Sequence, residues 1–233
     1  YNARILMKEP DNYSARAEIM WAGSLSHNGL TGLGRAKDFS VHKLGHALGA
    51  KYANPDATVQ VLWADSWYDL DIESQNAKTL IDNGIKYMGM EASSPAVPQT
   101  CEENGAFCVG YNVDMQASAP KAVMTSFVWN WAPIFEDIMQ KTADGTIDIS
   151  ANYYEGGECA ALAPFNSDIV PQDVQDKVND LREKINSGEV QVYAGELKDD
   201  KGNVLVKEGE TMSDEDILAQ DFFVDNVIGG KDK

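Results

Sequence analysis

The chain has 233 residues, 43% of them hydrophobic, and its nineteen Lys or Arg against thirty-seven Asp or Glu leave a formal net charge of -18. That apolar content suffices for a buried core, while the negative charge disfavours nucleic acid and anionic membrane surfaces, whose phosphates need clustered Lys and Arg. No apolar run reaches the roughly 18 residues that span a bilayer, so direct membrane insertion is not expected.

The elements fall into two groups along the chain. From Tyr13 to Leu25, and again from Phe39 to Ala50, apolar residues recur at helical spacing, punctuated by the Gly-rich stretch Gly29 to Gly34. This predicts an α-helical hairpin. Beyond Lys51 the pattern alternates: strand at Val59 to Trp63, helix at Ile72 to Asn83, strand at Tyr87 to Glu91, helix at Pro95 to Asn104, strand at Phe107 to Tyr111. Then come a strand at Val123 to Val128, a helix at Pro133 to Ala143, and a longer amphipathic helix at Val174 to Ser187. Such alternation implies an α/β fold with a mainly parallel sheet. A hairpin is expected across Glu196 to Glu210, turning at Asp200-Lys201-Gly202-Asn203, and Ser213 with Asp216 makes an acidic capping box for a last short helix.

Composition also breaks near residue 50. The three histidines, His27, His42 and His46, all precede it, and residues 1–50 carry six Lys or Arg against four acids, the remainder thirteen against thirty-three. The expected organisation is therefore a helical segment, 1–50, and an α/β segment, 51–233. No basic leader followed by an apolar stretch opens the chain at Tyr1, so no signal peptide is read, and processing or truncation is expected to have removed the start. Cys101, Cys108 and Cys159 form an odd set without CxxC spacing, which argues against a zinc site or a disulfide framework. Free, partly buried thiols are expected, with a Cys101–Cys108 bridge in an oxidising compartment as the open alternative.

In the first segment, Trp21-Ala22-Gly23-Ser24-Leu25-Ser26-His27-Asn28-Gly29 and Ser40-Val41-His42-Lys43-Leu44-Gly45-His46-Ala47-Leu48-Gly49 resemble the all-helical domain of iron-dependent, group III alcohol dehydrogenases of the butanol dehydrogenase branch. His42 and His46, four apart, share a helix face. By the resemblance, His42 matches a metal-ligand histidine and His46 the histidine beside the nicotinamide. A catalytic metal needs about three protein ligands or more. The family draws a further His from ten residues after His46, where this chain has Asp56. His42 therefore reads as a remnant ligand, with no metal site, no cofactor and no dehydrogenase activity expected. Gly29 to Gly34 is not a GxGxxG that follows a strand, so it reads as a turn.

In the second segment, Asn54-Pro55-Asp56-Ala57, Asp65-Ser66-Trp67-Tyr68-Asp69, Gly110-Tyr111-Asn112-Val113-Asp114-Met115, Thr125 to Trp131, Leu162-Ala163-Pro164-Phe165-Asn166 and Asp221-Phe222-Phe223-Val224 occur in the order found in the basic membrane protein family. The stretch from residue 51 to the end resembles the C-terminal part of such a protein. The resemblance implies a lobe like those of type I periplasmic binding proteins, a non-catalytic role in purine nucleoside or purine base uptake, an ABC transporter permease as partner, and a periplasmic or membrane-anchored extracellular location. It also implies a first lobe that this segment does not include, so the cleft is expected to stay open on one side. Both resemblances meet at Ala47-Leu48-Gly49-Ala50, a string common to the two families, where the two sequences read as joined.

Ligands of open α/β sheets collect at the C-terminal edge of the parallel strands, which singles out the loops Ala64 to Asp69, Ala92 to Pro95 and Asn112 to Met115. Trp67 either stacks on a planar base or caps the core beneath its loop. Asn112 and Asp114 either take ribose hydroxyls or base nitrogens or close an Asx turn. Ser94, before Pro95, suits a helix cap and can also donate to a ligand. Trp129 and Trp131 stand where the family commonly has a Lys or another polar residue, which leaves base and nucleoside both open. With no His after residue 46 and no nucleophile beside a base, binding rather than catalysis is the reading.

Overall fold

A computed structural model describes Lys8 and residues 40–148, 160–219 and 222–228. The expected helix at Tyr13 to Leu25 and the turn at Gly29 to Gly34, with Cys159 and His27, lie outside them. The chain divides into two compact units, Gln60–Gln191 with Gly229–Lys233, and Tyr1–Val59 with Val192–Ile228.

The first of these is built on a four-stranded sheet of β2 (Tyr87–Gly89), β3 (Phe107–Asn112), β4 (Val123–Trp129) and β5 (Ala160–Leu162), in that order, following a two-residue β1 (Val59–Gln60). β2 to β4 run parallel and β5 is antiparallel. The mainly parallel α/β architecture expected from the alternation is what forms.

Each helix ends where local chemistry dictates. α2 (Leu70–Asp82) follows α1 (Ser40–Ala53) in the chain and starts at Asp69, whose carboxylate accepts the Asp71 and Ile72 N–H groups at 3.2 and 3.0 Å. α3 (Ala96–Asn104) stops at Gly105, where φ of 67° is free of Cβ strain only for glycine. α4 (Ala132–Asp144) has Pro133 in its first turn and stops at Gly145 in the same left-handed conformation. α5 (Gln172–Asn186) is laced by Asp173–Lys177 and Asp180–Lys184 pairs on its solvated side. The core gathers Ala77, Met88, Met90, Cys101, Cys108, Tyr111, Met115 and Val123, with Leu80, Ile81 and Phe127 packed on it.

In the second unit α1 runs unbroken across the compositional change near residue 50. It buries Ala47 completely in a cluster with Leu197, Val206 and Val224. The amide of Asn226 donates to the Ala47 carbonyl at 2.9 Å, and Lys51 Nζ lies 2.6 Å from the Asp225 carboxylate. The expected hairpin forms as β6 (Leu197–Lys198) and β7 (Val204–Val206), antiparallel. Its turn is held by Asp199, whose carboxylate accepts the N–H groups of Lys201 and Asn203 and the Asn203 amide; those bonds, chiefly the Asn203 side chain, lower its pKa. Ser213 caps α6 (Asp214–Ala219), accepting the Asp216 N–H at 3.2 Å and donating to its carboxylate at 2.6 Å.

One expectation is corrected. The strand predicted over Val59 to Trp63 is reduced to Val59–Gln60, and it pairs with β8 (Val227–Ile228), not with the parallel sheet. The physical reason is a competing partner: the Val59 N–H donates to the Asn226 carbonyl at 2.9 Å. The Trp67 loop thus does not leave the C-terminal end of a parallel strand.

Candidate functional site

The loops that follow β2, β3 and β4 share one edge of the sheet, and the Trp67 loop is hydrogen-bonded to the first of them. The Ser93 N–H donates to the Trp67 carbonyl at 2.9 Å. Beneath that contact lies Glu73, only 2% exposed: one carboxylate oxygen accepts the Asp69 N–H at 2.8 Å and the other the Ser94 hydroxyl at 2.5 Å. A buried carboxylate is tolerated where both oxygens are bonded. Glu73 thereby fixes the start of α2 and the loop before α3 in one stroke. Sequence reasoning missed it; the signal available was its position four residues after the capping Asp69.

Ser94 is fully buried, and besides donating to Glu73 its oxygen accepts the Ala96 N–H at 3.2 Å. Its place is under the edge, as the support of the α3 N-terminus. Trp67 is 41% exposed, and its carbonyl binds the Ser93 loop.

At the end of β3, Asn112 is exposed with φ of 74°, and Asp65 in the Trp67 loop has φ of 52°. Non-glycine residues held in this region concentrate at functional loops. Asp114 is exposed and its carboxylate accepts the Gln116 N–H at 3.0 Å, an Asx turn that leaves its other oxygen for solvent or ligand. The loop is pinned from below. The Met115 N–H donates to Ser126 Oγ at 3.0 Å, and Gly110 leaves room for that hydroxyl: a Cβ there would stand 2.5 Å from Ser126 Oγ and 3.0 Å from Met115 Cβ. From the side, the Gln116 amide donates to the Pro164 carbonyl at 2.5 Å.

A ladder of rings completes the edge. Tyr111 and Phe127, paired across β3 and β4, stack at 6.1 Å, and Phe127 meets Trp129 edge-on at 4.9 Å. Trp129 stacks on Trp131 at 5.2 Å, and Trp131 approaches Phe135 at 6.2 Å. Exposure rises along it, from buried Tyr111 through half-buried Trp129 to Trp131 at 45%. Burial, and next the nearby Glu91 carboxylate, push the Tyr111 hydroxyl up, opposed by its hydrogen bond with Trp129. The edge therefore places aromatic rings beside a carboxylate and an amide, groups chemically suited to a planar heterocycle with polar substituents.

Trp129 and the Asn112–Asp114 loop extend from strands paired to each other, and the Trp67 loop is bonded to the Ser93 loop. His42 lies in α1, its side chain outside the described residues. Among the described residues no group of three or more His, Cys, Asp or Glu is placed to hold a metal ion, and no helix is long and apolar enough to cross a membrane.

A family profile described as ABC transporter substrate-binding protein PnrA-like matches residues 33–196. A purine-binding protein of Brucella abortus is 33% identical over 182 residues, 77% of this chain and 51% of that protein. An NADH-dependent butanol dehydrogenase B of Clostridium acetobutylicum is 30% identical over 87 residues, 37% of this chain and 22% of that enzyme. Among solved structures, an ABC transporter solute-binding protein from Conexibacter woesei superposes with a TM-score of 0.51 at 24% identity, covering 64% of this chain and 52% of that one; this likeness concerns the fold. The chain spans about half the length of these binding-protein relatives.

Proposed function

Because the chain belongs to the family of PnrA-like ABC transporter substrate-binding proteins, we propose that it is part of an importer's extracytoplasmic receptor, binding a purine base or nucleoside without catalysis and delivering it to a permease. The observation that carries the reading is the aromatic ladder ending in Trp129 and Trp131 beside the exposed Asn112 and Asp114. In this proposal Trp129 and Trp67 offer ring faces to the base, and Asn112 and Asp114 take its polar edge or ribose hydroxyls. Ser94 holds the loop between them. The purine-binding relative favours this ligand class.

The test is a thermal-shift series with adenine, adenosine and guanosine, using cytidine and glucose as controls. Ligand at ten times its Kd stabilises by about 1.4 kcal/mol, worth about 3–6 °C in a chain of this size. Saturable shifts for purines alone support the proposal; a shift with glucose or cytidine, or cooperative melting indifferent to all purines at millimolar concentration, overturns it.

The dehydrogenase match favours a second reading, that part of the chain is a helical piece of iron-dependent dehydrogenase ancestry and inactive; at 87 residues the match is longer than the segment 1–50. Butanol-dependent NAD(P)H formation by the purified chain supplied with iron would overturn the inactivity.

A further inference from the structure

Among the described residues two Asn-Gly pairs stand at the same kind of turn, Asn83-Gly84 where α2 returns to β2 and Asn104-Gly105 where α3 returns to β3. They are not equally tied. Asn83 is the first residue beyond α2; it is exposed, and Gly84 after it is left-handed with φ of 88°. The backbone there is bonded, the Asn83 N–H to the Thr79 carbonyl at 3.1 Å and the Gly84 N–H to the Ile81 carbonyl at 2.8 Å. The Asn83 side-chain amide makes no hydrogen bond among the described residues, and a Cβ placed on Gly84 would meet nothing within 4 Å. Asn104, by contrast, is the last residue of α3, and its amide donates to the Thr100 carbonyl at 2.8 Å. One residue past Gly105, Ala106 is 3% exposed and its N–H donates to the carbonyl of the fully buried Cys101 at 2.9 Å.

We propose that Asn83 is a site of spontaneous deamidation in the folded chain and that the fold protects Asn104 from the same reaction. The Gly84 nitrogen, giving up its proton to water, forms a bond to Asn83 Cγ. The Cγ–Nδ2 bond breaks, the amide nitrogen leaves as ammonia, and a five-membered succinimide remains. Water then opens the ring at either carbonyl, giving aspartate where the Gly84 nitrogen leaves Cγ and isoaspartate where it leaves the main-chain carbonyl carbon. In sum, one amide and one water become one carboxylate and one ammonium ion, with nothing oxidised or reduced. Glycine permits the attack because no Cβ shields its nitrogen. At Asn83 the turn has only to release the Gly84 N–H from Ile81, a movement of a helix end, where opening is cheapest. The Gly105 N–H is held more loosely, at 3.4 Å from the Glu102 carbonyl. Asn104 must nonetheless leave the last turn of α3 and break its own bond to Thr100 beside the anchored Ala106. That one additional bond, at about 0.5–1.5 kcal/mol, slows attack by roughly 2- to 10-fold. The product alters the chain where it connects α2 to β2: either acid sets a negative charge at the C-terminal end of α2, which the helix dipole disfavours, and isoaspartate lengthens the main chain by one atom.

The test incubates the full chain at mildly alkaline pH, folded or in urea, and maps its tryptic peptides by mass spectrometry and by labelling with protein-isoaspartate methyltransferase. Asn83 falls in the peptide Thr79–Lys86 and Asn104 in Tyr87–Lys121, so the two are read separately. In the folded chain Thr79–Lys86 should convert to the acid and accept methyl groups, with Asn104 slower by about 5-fold or more. In urea the two rates should converge. Asn104 converting as fast as Asn83 in the folded chain overturns the proposal, as does an Asn83 that converts only in urea. A rate ratio unchanged by urea also overturns it, since the difference would then lie in the sequence rather than the fold. Asn83→Gln, which would need a six-membered ring, should abolish methyl acceptance in that peptide; if that variant does not fold, the wild-type rates still decide.

Discussion

Replacing Glu73 by Ala strips acceptors from two donors at once, the Asp69 N–H at the head of α2 and the fully buried Ser94 hydroxyl. A buried donor left unsatisfied costs about 1–3 kcal/mol. The Asp69 N–H is only half-buried and recovers part of that from water, so the two together should cost about 2–4 kcal/mol, with a further contribution from the cavity. Glu73→Gln behaves differently. Its carbonyl can keep the Asp69 bond while its amide donates to Ser94 Oγ, leaving only the Ser94 hydroxyl proton unpaired and no cavity, so its cost should stay at about 1–2 kcal/mol. Urea titration followed by far-UV dichroism reads both as shifts in midpoint at constant slope. Glu73→Ala costing less than about 0.5 kcal/mol, or Glu73→Gln costing as much as Glu73→Ala, would refute the strut.

Gly110→Ala places a methyl against Ser126 Oγ and Met115, so it should cost about 1–3 kcal/mol by overpacking and weaken any purine-induced thermal shift through the displaced Asn112–Asp114 loop. Trp129→Ala removes a rung between Phe127 and Trp131; it should abolish the purine shift and redden tryptophan emission from Trp131, and a fully retained shift would count against stacking there. Burial pushes Tyr193 up to about 12. An unfolded tyrosine loses its proton near 10, so between pH 10 and 12 the folded chain holds more protons and stability falls as pH rises, by about 1.4 kcal/mol per unit at most. Absorbance of tyrosinate should show a late-titrating fraction, to which Tyr111 also contributes, and Tyr193→Phe should remove the Tyr193 part of it together with its share of the alkaline loss.

What the sequence made legible was local. The pattern of α5 and the turn chemistry of the β6–β7 hairpin sit within a few residues of one another, so periodicity and Asp199-to-Asn203 spacing read them directly. The truncation of the strand at Gln60 was not legible, because its competitor, Asn226, lies far along the chain. The same holds for the candidate site. Trp67, Asn112 and Asp114 could be picked as loop residues beyond predicted strands, and Trp129 through the family resemblance, but the stacking of Tyr111 on Phe127 depends on the register of two strands, and no single window of sequence encodes register. Glu73 escaped notice because a Glu in the first turn of a helix ordinarily serves the helix dipole at the surface, and only the arrival of Ser94 makes it interior.

The division of the chain also sets a timetable for its synthesis. Residues 60–191 form one continuous span, so the sheet that carries the candidate loops has all its strands as soon as that span has left the ribosome, and domains generally fold as they emerge. α1 must wait. The residues that bury Ala47, namely Leu197, Val206 and Val224, are translated about 150 or more residues later, which at the usual ~5–20 residues per second is on the order of ten to thirty seconds. Through that interval Ala47 lacks its buried partners, so a ribosome-associated chaperone that recognises exposed apolar helices has a target in α1.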